Sequence, residues 1–369
     1  MPLPRERSDP SGIEPVTAAW PQGYDRAVSP QFAVADVEVS IVALFGGSQL
    51  ARCLSALPEA CAELAWRLTL VDNSPLGLEL EQCLAGLPAT VLRSEGPRGF
   101  GTNQNLVLTG VVRERRARYA LVLNDDTEPG PGSVTALVRH ADRRTRIGAL
   151  VPSIRNSRGT LEPPIIAWPT LFNQALGSLF PRFAPGAATA GRGRLNGACM
   201  LIRTAALAQA GLFDPRYFLF FEEADLCRRL RARGWQTEHC PDATVVHHEA
   251  QTTTRIGSPL EREQQTIRSR YIYFRKHHGR LAAWVLGGLV RSGLLARTVR
   301  TALQAAASGR PIGSSRAGAL WALSWYRPTR PSRLELGACA EPPRGPGPAS
   351  VELNRARRHP RAPHRPPGR

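Results

Sequence analysis

The stretch "RYALVLNDDTEPGPG" (118–132) decides the fold. Tyr119 to Leu123 form an uninterrupted apolar run, as expected of a strand covered on both faces. The run ends abruptly in Asn124, Asp125 and Asp126, and a proline-glycine loop follows. Three similar runs precede it: "VEVSIVAL" (37–44), "WRLTLVDNSP" (66–75) and "ATVLRSEG" (89–96). Helical patterns follow three of these four runs, at 48–57, 102–116 and 133–144. Strands alternating with helices predict an α/β fold with an open, mostly parallel sheet flanked by helices. In such sheets ligands bind beyond the carboxyl ends of the strands. Asp72, Asn73, Arg98, Asp125 and Asp126 all fall at those ends.

The chain has 369 residues, enough for one large or two ordinary domains, and 42% of them are hydrophobic, as in a globular protein. Its net charge of +18 calls for acidic partners such as nucleotides, phosphorylated substrates, anionic lipid or nucleic acid. Lys276 is the only lysine, so arginine abundance reflects a bias across the chain and carries little argument. Residues 327–369 hold ten arginines and ten prolines against three glutamates and read as a disordered basic tail. Residues 1–35 read as a disordered N-terminal segment without the apolar core of a signal peptide. The seven cysteines include no C-x-x-C pair, which predicts reduced thiols in a cytoplasmic protein rather than a zinc site or disulfide framework. No stretch reaches the length of a membrane span. Helices over 281–300 and 316–326 carry Trp284, Trp321 and Trp325 beside arginines. They suit equally a peripheral contact at a membrane surface and packing on the main domain.

Adjacent acids after a buried strand need solvent or a cation. "NDDT" (124–127) therefore suits Mg²⁺ or Mn²⁺ with substrate phosphates, or else a turn. "GPRGFGTNQN" (96–105) is neither a dinucleotide fingerprint, since Gln104 replaces the third glycine, nor a P-loop. Residues 151–196 read as a long loop region over the site. "FLFFEEADLCRRLRARGWQ" (218–236) reads as a helix with Glu222, Glu223 and Asp225 at its start and arginines towards its end, in keeping with the helix dipole. "VVHHEA" (245–250) supplies His247 and His248 just after a short strand.

Each motif alone also fits a structural role. Their order resembles that of glycosyltransferase family 2, with the GT-A fold and most closely its rhamnosyltransferase-like branch, over about residues 37–280. "LVDNS", "RGFGTNQN", "LVLNDDTEP", "LNGACMLIRTAAL", "GLFDPRYFLFFEEADLCRRLRARGW", "PDATVVHH" and "RSRYIYFRKHHG" carry the likeness. The resemblance implies a GT-A domain at 36–280 with added C-terminal helices at 281–326. It implies a nucleotide-sugar donor bound by Asp72, Asn73, Arg98, Gly99, Phe100, Gly101, Asn105 and Asp125. It also implies a Mg²⁺ or Mn²⁺ ion on Asp126 and His247, with His248 as the alternative to His247. Glu223 would be the catalytic base of an inverting transfer, with Glu222 and Asp225 as supporting acids. Asp125 departs from the proline common at that position of the branch. The implied acceptor is a glycan or lipid-linked hydroxyl at the inner face of the cell membrane, with no nucleic acid partner. Two other classes are weighed against this. A sugar-nucleotide nucleotidyltransferase would carry a Gly/Arg/Lys loop after the first strand, where "ALFGGSQLARC" has no lysine. A basic polyanion-binding protein is permitted by the charge, but no recognition motif accompanies it.

Overall fold

The computed structural model describes residues 34–335 apart from 76, 79, 95–97, 180–185, 190, 192, 249–256 and 308–313. The expected disorder of the N-terminal segment and of the far tail lies outside these residues. The near end of the tail does not fit that expectation. Ser332 and Leu334 are buried, Ser332 Oγ donates to Gln265, and Ser332 and Glu335 cap each other. Arg268 holds Glu335 at 2.7 Å. Residues 327–335 thus pack on the domain, because two side-chain networks reward their ordering.

β1 (Ala35–Ala43), β2 (Trp66–Asp72), β3 (Thr90–Arg93) and β4 (Ala117–Asn124) pair in parallel in the order β3-β2-β1-β4. The other half of the sheet is mixed. β10 (Cys199–Arg203) runs antiparallel between β4 and β6 (Ile147–Asn156), and β11 (Gln236–His247) runs parallel to β6. Two short strands, β5 (Thr127–Pro129) and β7 (Leu161–Glu162), complete it. Most of the pairing is parallel, as expected, and antiparallel β10 divides it into two parallel sets; a hydrophobic run does not reveal that one reversed strand.

Helices α1 (Ser48–Ala60) and α4 (Ser133–Asp142) cover one face, with Leu50, Leu54, Leu57 and Leu137 packed against Val39, Ile41 and Leu121. The helices α3 (Phe100–Glu114), α6 (Thr204–Ala210) and α7 (Glu222–Ala232) cover the other; α2 (Leu80–Leu84) is a short turn after β2. Burial on both faces explains the continuous apolar run of β4, whereas the edge strand β3 stays largely exposed.

The region 151–196 is not one long loop. It contains the end of β6, β7, a small sheet of β8 (Ile165–Ala167) with β9 (Gly193–Leu195), and α5 (Leu171–Leu179). Pro163-Pro164 and the glycines hid these short elements. Likewise β11 is not a short strand. Residues 241–243 form a bulge within twelve residues of strand.

α8 (Pro259–Ala307) bends at Gly279 (φ 87°, ψ 173°) and folds back with α9 (Ser314–Ser324). Tyr273, Phe274, Leu286 and Leu323 form a third core with Tyr217 and Phe221, so the C-terminal helices pack on the domain. A buried ion cluster reinforces that junction. Lys276 Nζ lies 2.6 Å from Asp214 and 2.7 Å from Asp225. Burial disfavours the Asp214 carboxylate, but Arg216 and Lys276 outweigh it and bring its pKa down from 3.8 to about 2. The depressed value stabilises the fold above the ordinary carboxylate pKa. Acid titration should therefore remove about 2 kcal/mol of stability between pH 4 and pH 2. Asp214→Asn should flatten that part of the urea-midpoint profile.

Candidate active site

The site residues gather at the carboxyl ends of β2 and β4 and at the start of α7. Asp72 ends β2, where its carboxylate accepts from the Ser74 N–H and hydroxyl, the Leu78 N–H and Arg93. It thereby shapes the loop after β2. Asn73 grips the Arg98 backbone twice, donating to its carbonyl at 3.1 Å and accepting from its N–H at 2.8 Å. Asn105 does the same to Phe213 from α3. These amide clamps tie the glycine turn to β2 and to the segment leading into α7.

Phe220 and Phe221 both have φ of 69°, a conformation costly for side chains other than glycine. Their surroundings hold it. Phe100 N–H donates to the Phe218 carbonyl, and Ser269 Oγ donates to the Leu219 carbonyl at 2.7 Å. The Phe221 ring packs 5.7 Å from that of Tyr273. Gly99 makes this approach fit, because a Cβ there would lie 2.6 Å from the Phe218 carbonyl oxygen. Gly99→Ala should push the Phe218–Phe221 turn away, cost about 1–3 kcal/mol of stability and lower turnover with it. Urea melts beside donor-turnover assays would check both effects.

That turn places two unlike glutamates. Glu222 is buried, its Oε2 has no hydrogen-bond partner, and burial together with the neighbouring charge of Glu223 pushes its pKa up. Glu223 is more open and pairs with Arg194 of β9. Gly197 lies beside it, since a Cβ there would touch Glu223 Cγ at 3.5 Å. Asp225 stands apart from this opening. It has no exposed surface and lies 2.7–2.8 Å from Lys276, His277 and Arg229. Burial opposes its charge, but the hydrogen bond with His277 and the charges of Arg229 and Lys276 hold its pKa below the carboxylate range. It joins α7 to α8.

Asp125 and Asp126 are both buried after β4. Asp126 Oδ1 lacks a well-formed hydrogen bond, and His247 Nε2 is 3.4 Å away. His247 Nδ1 faces Glu162 Oε1 at 3.2 Å. Burial opposes charge on this imidazole, but the two carboxylates push its pKa up to about 10. His248 turns the other way, to Glu128 at 3.0 Å. Asn196 donates to Glu162, and its neighbour Ala198 accepts from the Asn124 N–H. The Asn196–Ala198 turn therefore borders both the Asp126–His247 pair and Glu223.

Arg194 and Glu162 escaped the sequence reading because both sit in the segment taken for a loop. An arginine two residues before "NGAC" and a glutamate before a double proline were the available signals.

Among the described residues, no three His, Cys, Asp or Glu side chains converge as a metal cage. The donors present nevertheless suit a hard divalent ion. A buried carboxylate oxygen without a good partner lies beside an imidazole whose second nitrogen is held by a carboxylate.

Acids at the carboxyl ends of the sheet strands, faced by an acidic helix start, make this the ligand site expected of an open α/β sheet. The family model described as "Glycosyltransferase like family 2" matches residues 79–269. An N-acetylglucosaminyl-diphospho-decaprenol L-rhamnosyltransferase of Mycobacterium tuberculosis is 32% identical over 279 residues, covering 68% of this chain and 90% of that one. A low-salt glycan biosynthesis hexosyltransferase, Agl10, of Haloferax volcanii is 25% identical over 52% of this chain and 62% of its own. A crystal structure of GalNAc-T7 with UDP, GalNAc and Mn²⁺ is 17% identical with a TM-score of 0.45, over 66% of this chain and 48% of that one, about half its length. The chain belongs to glycosyltransferase family 2, and it is a glycosyltransferase with the mixed α/β architecture expected of the GT-A fold.

Proposed function

We propose that this enzyme transfers a sugar, with dTDP-rhamnose as the leading donor, to a hydroxyl of a lipid-linked glycan in cell-envelope synthesis. The reading rests on one observation above the others. A single turn, Asn196–Ala198, borders both Glu223 and the Asp126–His247–Glu162 group, which supports reading the first as proton acceptor and the second as cation site of one reaction centre. The similarity to the mycobacterial rhamnosyltransferase supports the choice of sugar and acceptor.

In this reading Asp72, Asn73, Arg98, Gly99, Phe100, Gly101, Asn105 and Asp125 form or brace the donor pocket. Asn73 and Asn105 act through the backbone they clamp. Asp126 and His247 would hold Mg²⁺ or Mn²⁺, which supplies charge stabilisation to the departing diphosphate. Glu223 takes the proton from the acceptor hydroxyl as it attacks the anomeric carbon, in a single inverting displacement. Arg194 pairs with its carboxylate and aims it. The work takes place at the cytoplasmic face of the membrane, where a lipid-linked acceptor resides. No helix among the described residues is long and apolar enough to cross a membrane.

A panel of nucleotide sugars with Mg²⁺ or Mn²⁺, read as thermal shift and nucleoside diphosphate release, tests the proposal. dTDP-rhamnose should give the largest shift in the presence of metal. Asp126→Asn should abolish the metal-dependent part of that shift. A shift as large without metal, or one confined to other donors, would overturn the corresponding part.

A further inference from the structure

No Asp or Glu occurs between Glu263 and Glu335, a segment that holds twelve arginines and Lys276. The second half of α8 and all of α9 lie within it. One face of that half-helix is buried: Ala283, Leu286, Val290 and Leu294 pack towards Leu320 and Leu323 of α9. The opposite face is also apolar. Leu281, Trp284, Leu295, Val299 and Leu303 recur at helical spacing, and Leu281 and Trp284 are 74% and 76% exposed. Arg291 and Arg300 border this stripe and are exposed. Arg291 also lies over the Trp325 ring, which stacks edge-on against Trp321, and both tryptophans are exposed. A helix apolar on both sides needs a second cover, and so large an exposed patch marks an interaction surface.

A groove of about 320 Å³ opens beside the stripe, lined by Ile267, Leu286, Val290, Leu323, Tyr326 and Arg270. Arg270 Nε is buried without a hydrogen-bond partner, and the guanidinium's contact with Ser178 Oγ is long, at 3.4 Å. Burial pushes its pKa down. A cation so placed gains from an anion entering the groove.

We infer that the second half of α8 and α9 form a docking surface for an anionic phospholipid bilayer. The Leu281–Leu303 stripe and the tryptophans enter the headgroup region, and Arg270 meets a lipid phosphate in the groove. Charge selects the occupant. A protein partner with an apolar patch would not account for a run of 71 residues without an acid or for a buried guanidinium Nε without a hydrogen bond in the groove, whereas an anionic bilayer meets both. The inference extends the proposed lipid-linked acceptor, but its test needs no glycosyl transfer.

The full chain should float with phosphatidylglycerol–phosphatidylethanolamine vesicles and much less with phosphatidylcholine vesicles. Salt should weaken the binding. Leu281→Ser with Trp284→Ser, both at exposed positions, should lower partitioning at least about tenfold. Arg270→Gln should lower it about fivefold on phosphatidylglycerol vesicles and leave phosphatidylcholine unchanged. No flotation, equal flotation on both vesicles, or wild-type flotation of the Leu281/Trp284 variant would overturn the inference. The last result would assign binding to the basic tail, which that variant retains. Donor-induced thermal shift on the same samples separates the two proposals: it depends on the sheet site, and its absence would sink the donor reading while the lipid result stands.

Discussion

Glu223→Gln is expected to keep nucleotide-sugar binding and to lose transfer by about two to four orders of magnitude, the usual scale of proton-transfer catalysis. The substitution keeps the shape of the side chain and its place at the start of α7. It removes only the capacity to take a proton. The neighbouring acid supplies the contrast. Glu222 is buried with its pKa pushed up, so its neutral form already resembles an amide in charge. Glu222→Gln should therefore leave turnover within about tenfold of the parent enzyme. Single-turnover rates beside donor thermal shifts would measure both. Near-normal turnover in Glu223→Gln, or a deeper loss in Glu222→Gln, would remove Glu223 from the role proposed for it. Arg194→Ala offers a check on positioning. Without the guanidinium, the Glu223 side chain loses its anchor, so kcat should fall while the donor thermal shift stays.

Asp225→Ala is expected to destabilise the fold by about 3–5 kcal/mol, since it strips a buried counter-ion from Lys276 and Arg229 and a hydrogen-bond partner from His277. That is a large part of the stability typical of a domain, about 5–15 kcal/mol. The measurement is the urea midpoint. An unchanged midpoint with reduced turnover would restore Asp225 as a supporting acid of catalysis. Lys276→Met should be milder, because Asp225 keeps His277 and Arg229, whereas Asp214 keeps Arg216.

Sequence by itself determined much of this protein. The four apolar runs marked the parallel half of the sheet, since a strand covered on both faces reads as an apolar run rather than an alternation. The acids at their ends could be placed because the end of a strand is legible where an apolar run stops. The Glu222–Glu223 helix start was legible from its acid-to-base polarity, and Gly234 ends the same helix with φ of 83°. The choice between His247 and His248 was not legible. Alternation along β11 sends the two rings to opposite sides, and only pairing with β5 and β6 fixes which side holds Asp126.

Arg194, Glu162 and the true place of Asp225 belong to the tertiary structure alone. Arg194 meets Glu223 across 29 residues, and Glu162 meets His247 across 85. A charged side chain carries no local mark of its distant partner. In "FFEEAD" three acids look alike in the chain. The fold buries one with no hydrogen bond to its Oε2, turns one towards Arg194 and the site, and locks one between Lys276, Arg229 and His277. Burial and neighbouring charge set what each carboxylate can do, and both come from packing rather than order in the chain.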